Sequence, residues 1–121
     1  MIQPSINKKG SIVKGTLSLY IYKDTSYPKD NMWIAYCPEL DLVGYDYGEE
    51  AAKKSFSVVL QEYLEYTIEN NTLEEDLLKH GWKKKDGRME EPSYNEMMKN
   101  DKLRSILPLP NYTKCSIPVN A

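Results

Sequence analysis

From Thr16 to Tyr22 the chain alternates strictly, with Leu17, Leu19 and Ile21 on one side and Thr16, Ser18, Tyr20 and Tyr22 on the other. Period-two patterning of this kind predicts a strand with one buried face. Lys23 to Asn31, with Asp24, Pro28, Asp30 and Asn31, reads as a hairpin loop slightly longer than the common ones. Met32 to Cys37 is the second predicted strand. Trp33, Ala35 and Cys37 fall on one of its faces and Met32, Ile34 and Tyr36 on the other. A strand apolar on both faces is covered on both sides or presents one side to a partner. Pro38 stops it, since proline cannot donate to a central ladder. Leu42 to Tyr47 predicts a third strand, with Gly44 placed for a bulge or a close backbone approach.

At Glu49 the period changes. Ala52, Phe56, Val59, Leu60, Tyr63, Leu64 and Ile68 recur at helical spacing, leaving Lys53, Lys54, Ser57, Gln61, Glu62 and Glu65 on the wet face. Glu49 and Glu50 complement the positive end of the helix dipole, and Asn70-Asn71 ends the helix. Thr72-Leu-Glu-Glu75 has the form of a capping box for a short second helix, with Gly81 as its C′ residue. Trp82 to Pro92 is basic and turns at Asp86-Gly87. Ser93-Tyr-Asn-Glu96 is a second capping box, opening a helix that fades by Pro108. Pro108 and Pro110 stiffen a connector to a last strand, Asn111 to Val119, in which Cys115, Ile117 and Val119 alternate. Pro118 assigns that strand to an edge.

The order is therefore β-β-β-α-α-(loop)-α-β, following a polar, irregular start at Met1 to Gly10. It predicts an α+β fold: a small antiparallel sheet with helices on one face, then a helical extension and a terminal strand. Residues 1–71 make the β-β-β-α core. Residues 72–121 make the extension, expected to pack on the same single domain.

Composition narrows the function more than the fold. A chain of 121 residues has room for one core and needs no metal or disulfide to hold it. A net charge of −2 with pI near 5.5 argues against a general polyanion binder. Cys37 and Cys115 are too few for a disulfide scaffold and read as reduced, partly buried thiols. The start lacks the apolar segment of a signal peptide, and no apolar run is long enough to span a membrane. These features predict a cytoplasmic protein.

The candidate chemistry is thin. His80 is the single histidine and sits before a helix-ending glycine, where it reads as a solvated imidazole at the negative end of the dipole. With two distant cysteines it cannot complete a zinc site of ordinary composition. Asp24, Glu39, Asp41 and Asp46 lie on or beside the sheet. Carboxylates so placed can hold magnesium in a nuclease, but turns and strand ends favour acidic residues for conformational reasons too. Cys37 has no cationic neighbour to lower its pKa, and no glycine-rich phosphate loop is present. No catalytic residue, metal or cofactor is expected. Lys79, Lys83, Lys84, Lys85 and Arg88 form the one basic run, readable as a solvated turn or as a DNA contact of a regulator. Ten tyrosines and two tryptophans are the oddity. Tyr20, Tyr22, Tyr36, Tyr45, Tyr47 and Trp33 all fall in strands, and aromatic residues are enriched where proteins meet.

One stretch carries a family likeness. An alternating strand is followed by Trp33-Ile-Ala-Tyr-Cys-Pro-Glu-Leu40, then Gly44, then Gly48-Glu-Glu-Ala-Ala52 and a helix ending in Tyr63-Leu64. Over Thr16 to about Ile68 this resembles the HicB-like antitoxin domain of type II toxin-antitoxin systems. The resemblance implies a protein that is not an enzyme, with a sheet like a degraded ribonuclease-H core, which binds and neutralises a small basic (HicA-like) RNA-cleaving toxin or is a stand-alone relative. It implies partner contact at the turn carrying Tyr36, Glu39, Leu40 and Asp41, where acidic and aromatic groups would meet a basic surface. A homodimer or tetramer is expected. Many such antitoxins continue into a ribbon-helix-helix or helix-turn-helix segment. Here no helices follow the final strand, and operator binding is not expected.

Overall fold

The computed structural model describes residues 12–26 and 29–120. The polar start at Met1 to Gly10, Pro28 of the first loop and Ala121 lie outside the described residues. Strands β1 (Ile12–Lys23), β2 (Met32–Cys37) and β3 (Leu42–Tyr47) form an antiparallel meander. The helix α1 (Glu49–Glu69) follows directly and packs on it. After α2 (Leu73–Lys79) come a short hairpin of β4 (Lys83–Lys85) and β5 (Arg88–Glu90), then α3 (Tyr94–Met97) and α4 (Asp101–Ile106). The last strand, β6 (Thr113–Asn120), runs antiparallel along β1 from Ile21↔Thr113 to Lys14↔Asn120. The strand order is β3-β2-β1-β6, with β5 also joining the start of β1 in parallel at Ile12↔Arg88 and Val13↔Met89. The α+β class, the antiparallel sheet and the terminal strand agree with the sequence pattern.

The two sheet faces are packed differently. Leu17, Leu19, Ile21, Ala35 and Cys37 meet Ala52, Phe56, Leu60, Leu64 and Ile68 of α1 in the main core, which Leu73, Leu77, Trp82, Met89 and Val119 complete. The extension thus shares the core of the first half. The close approach expected at Gly44 is real and involves no bulge. A Cβ there would lie 2.4 Å from the Phe56 backbone nitrogen, so only glycine lets α1 settle on β3. At the end of α2 the Gly81 N–H donates to the Leu78 carbonyl and the Trp82 N–H to that of Leu77, with Gly81 at φ +91. This is a Schellman closure, and it drives Trp82 into the core.

Three local expectations are corrected. Not all helices lie on one face: Leu103 and Ile106 of α4 pack against Tyr20 and Tyr36 on the side opposite α1. Period-two patterning puts Tyr20 and Tyr36 there, and an apolar stripe on α4 covers them. Thr72 does not form a capping box. Its backbone is already helical (φ −112, ψ 0) and its N–H is tied to the Thr67 carbonyl, so its hydroxyl makes no cap. The helix opened by Ser93 is interrupted. Ser93 Oγ accepts the Glu96 N–H, but Asn100 turns the chain and caps a new helix by accepting the Leu103 N–H at 3.0 Å.

The sheet edges follow from the register. Thr16 donates its N–H away from β6, to Glu91, so Thr16↔Pro118 is a pair whose amides point apart. The Pro118 nitrogen therefore faces the edge of β6 that no described strand covers, where its missing proton removes a docking point for another strand.

Candidate functional site

Of the four residues singled out from the sequence, Tyr36 lies near the end of β2, and Glu39, Leu40 and Asp41 lie in the turn that leads to β3. Tyr36, Glu39 and Leu40 are 1 %, 4 % and 4 % exposed, whereas Asp41, at φ 52, is open to solvent. The buried three build the turn. The Glu39 carboxylate accepts the Ser18 N–H at 3.0 and 2.9 Å, and its backbone carbonyl accepts the Trp82 indole N–H at 2.8 Å. Tyr36 donates its hydroxyl to Asp41 Oδ1 (2.7 Å) and accepts from Asn100 Nδ2 (2.8 Å). Burial pushes the Glu39 carboxyl and the Tyr36 phenol above their ordinary values. Burial, with the adjacent Glu39 charge, drives the Cys37 thiol far up as well. A thiol held in its protonated form is a poor nucleophile, which fits a structural role.

The surface that remains open lies beyond the reach of α4, on the β3 side of the same sheet face. Val43, Tyr45 and Tyr47 alternate out of β3 and are 39 %, 63 % and 65 % exposed. Met32 and Ile34, half-buried, stand opposite Tyr47 and Tyr45 in β2. Together with Asp24, Asp30, Val43 and Lys102, the residues Met32, Ile34 and Tyr45 line a depression of about 300 Å³. Two amides of the β3 edge beside it are occupied: Ser55 Oγ accepts the Tyr45 N–H at 3.2 Å, and Asp46 Oδ1 accepts the Tyr47 N–H at 2.7 Å. Neither of these amides is left free to pair with an added strand.

The other sequence candidates do not converge. Among the described residues no three histidine, cysteine or carboxylate side chains are grouped to hold a metal ion, so Asp24, Asp41 and Asp46 do not form a centre. His80 Nδ1 lies 2.8 Å from the Asp76 carbonyl oxygen at the end of α2. Asp76 also accepts a hydrogen bond from Tyr63, whose phenol is raised by burial and by that carboxylate. The basic run is not a plain turn. Asp86 and Gly87, both at positive φ, make the two-residue loop of the β4–β5 hairpin, on which Lys84 pairs with Glu74 at 2.9 Å. Sequence reasoning passed over Tyr45 and Tyr47 as site residues. Their alternation with Leu42, Gly44 and Asp46 was the available signal. Both cysteines are free, and no described helix is long and apolar enough to cross a membrane.

A scan against protein-family models, a search of curated proteins and a search of solved structures each find no match.

Proposed function

We propose that this protein is a HicB-like protein-binding domain, an antitoxin-type neutraliser of a small basic RNA-cleaving toxin or a stand-alone relative, acting without catalysis. The supporting observation is the uncovered sheet face at Tyr45 and Tyr47. Exposed tyrosines beside half-buried Met32 and Ile34 supply apolar area at low entropic cost. Asp24 and Asp30 at the rim suit a basic partner, steering its approach. The β1-β2-β3-α1 order agrees with the core that the family resemblance implies. In this reading Asp41 adds a charge at the far end of β3, while Tyr36, Glu39 and Leu40 act by fixing the turn.

The test is affinity capture of the tagged chain from its native cells, followed by mass spectrometry, with a Tyr45→Asp/Tyr47→Asp variant in parallel. A stoichiometric small basic protein that is retained by the wild type, lost by the variant and able to cleave RNA supports the reading. Equal retention by both overturns the reading, and recovery of the chain alone overturns the antitoxin role in favour of the stand-alone relative.

A further inference from the structure

Among the described residues, one edge of β1 has no strand beside it between β5 and the end of β2. Carboxylates take the place of the missing neighbour. Glu91 accepts the Thr16 N–H at 2.8 Å, and Glu39 accepts that of Ser18. These bonds fix both side chains on the wall of a cleft of about 410 Å³ between the sheet and the α3–α4 segment. The volume lies within the range of small-molecule sites. Met97, Met98 and Leu107 line the cleft across from them. Neither Glu39 nor Glu91 belongs to an ion pair among the described residues. Tyr20 also lines the cleft, and the exposed Lys114 holds its ammonium 5.8 Å from the centre of the Tyr20 ring.

The chain thus brings two unneutralised carboxylates, an aromatic face and a thioether wall to one cavity, and places one of its own cations over the ring. Carboxylates and aromatic faces both attract ammonium groups, and thioethers pack adaptably against apolar stems. We propose that this cleft binds an organic cation, an ammonium group on an apolar stem. The ammonium lies between the Tyr20 ring and the two carboxylates, and the stem lies against Met97, Met98 and Leu107. Lys114 is then an internal competitor for the same position. The cleft is separate from the Tyr45–Tyr47 face, and the proposal stands without the antitoxin reading.

The experiment is calorimetric titration of the full chain with three probes: n-hexylammonium, hexanoate, and a short acetylated, amidated peptide with one lysine among alanines. Methyl NMR of Met97 and Met98 reports the location. Binding of either ammonium probe, with shifts at both methionine methyls and no binding of hexanoate, is the expected result. A free amine that binds marks a small-molecule ligand, and binding of the lysyl peptide alone marks a protein side chain. Lys114→Met should tighten binding by about threefold, and Glu91→Gln, which keeps an acceptor for Thr16, should weaken it by about tenfold. Both residues are exposed, so neither change disturbs the core. Equal binding of hexanoate, no binding of both ammonium probes at millimolar concentration, or unchanged affinity in the two variants overturns the proposal.

Discussion

Glu39 and Ser18 are joined across the sheet edge, the single Ser18 N–H lying 3.0 and 2.9 Å from the two carboxylate oxygens of Glu39. The contact satisfies a strand amide that β2 ends too early to reach. It also holds a carboxylate in a site that is 4 % exposed, and burial raises its pKa.

The two halves of that contact separate by substitution. Glu39→Leu removes the acceptor, leaves the half-buried Ser18 N–H without that partner and should cost about 1 kcal/mol. Glu39→Gln keeps a carbonyl oxygen for the same N–H and removes only the charge. A carboxyl raised in the folded state binds its proton more tightly there than in the unfolded chain. Its contribution to stability is therefore largest below the ordinary carboxyl range and declines as pH rises through that range to the folded value. Glu39→Gln should thus gain on the wild type as pH rises from acid to neutral, read by urea unfolding at several pH values. A glutamine variant as unstable at neutral pH as the leucine variant would mean that the charge itself holds the turn.

Gly44 sets the distance between α1 and β3. An added methyl meets backbone atoms of Phe56 at 2.4 and 2.6 Å, and backbone cannot swing aside as a side-chain tip can. Gly44→Ala should destabilise the protein by about 3 kcal/mol, through overpacking and displacement of the helix. Chemical denaturation gives the figure. A loss below about 1 kcal/mol would show that α1 shifts freely on the sheet.

Asn100 serves two structures at once. Its Oδ1 accepts the Leu103 N–H at the start of α4, and its Nδ2 donates to the Tyr36 hydroxyl. Asn100→Ala removes a helix cap and one partner of a buried phenol, a combined cost of about 2 kcal/mol. Hydrogen exchange should show the loss concentrated in 101–107, because α4 is held on the sheet by a small contact of Leu103, Ile106 and Leu107, with Lys102 over the Tyr36 ring. Equal loss of protection in α1 would instead place α4 in one cooperative unit with the core.

The parts of this fold that were legible in the sequence are those set by local period and backbone chemistry. Alternation at Leu17, Leu19 and Ile21 and the helical spacing from Ala52 to Ile68 each describe one face buried against the other. Gly81 could be read as a helix end because a positive φ is needed there. The β4–β5 strands were not legible: three residues each, mostly charged, with Met89 as the lone buried apolar side chain. Only Asp86-Gly87 pointed to a hairpin. The break at Asn100 depends on the Tyr36 hydroxyl, sixty-four residues away in sequence. The same holds at the candidate site. Glu39 is buried because Ser18 lacks a strand neighbour, and Tyr45 and Tyr47 are open because α4 stops over Tyr20 and Tyr36. Strand register and the reach of a later helix are long-range properties, and no residue pattern near those positions encodes them.

Pro118 carries the last prediction. It lies opposite Thr16 in a pair whose amides point apart, so its nitrogen faces the open edge of β6. Pro118→Val breaks no bond of the β1–β6 ladder and restores an N–H on that edge, in a residue that favours strands. The folded monomer should lose less than about 1 kcal/mol. Its outer edge, however, becomes an uninterrupted template for another strand, and association should rise with concentration in sedimentation experiments compared with the wild type. Cys115→Val is the control, since residue 115 pairs with Leu19 and directs its amide into the ladder. It adds a branched apolar side chain without a new edge donor and should sediment as the wild type does. Association in both variants would trace the effect to apolar surface, and association in neither would show that the neighbouring side chains already shield the edge.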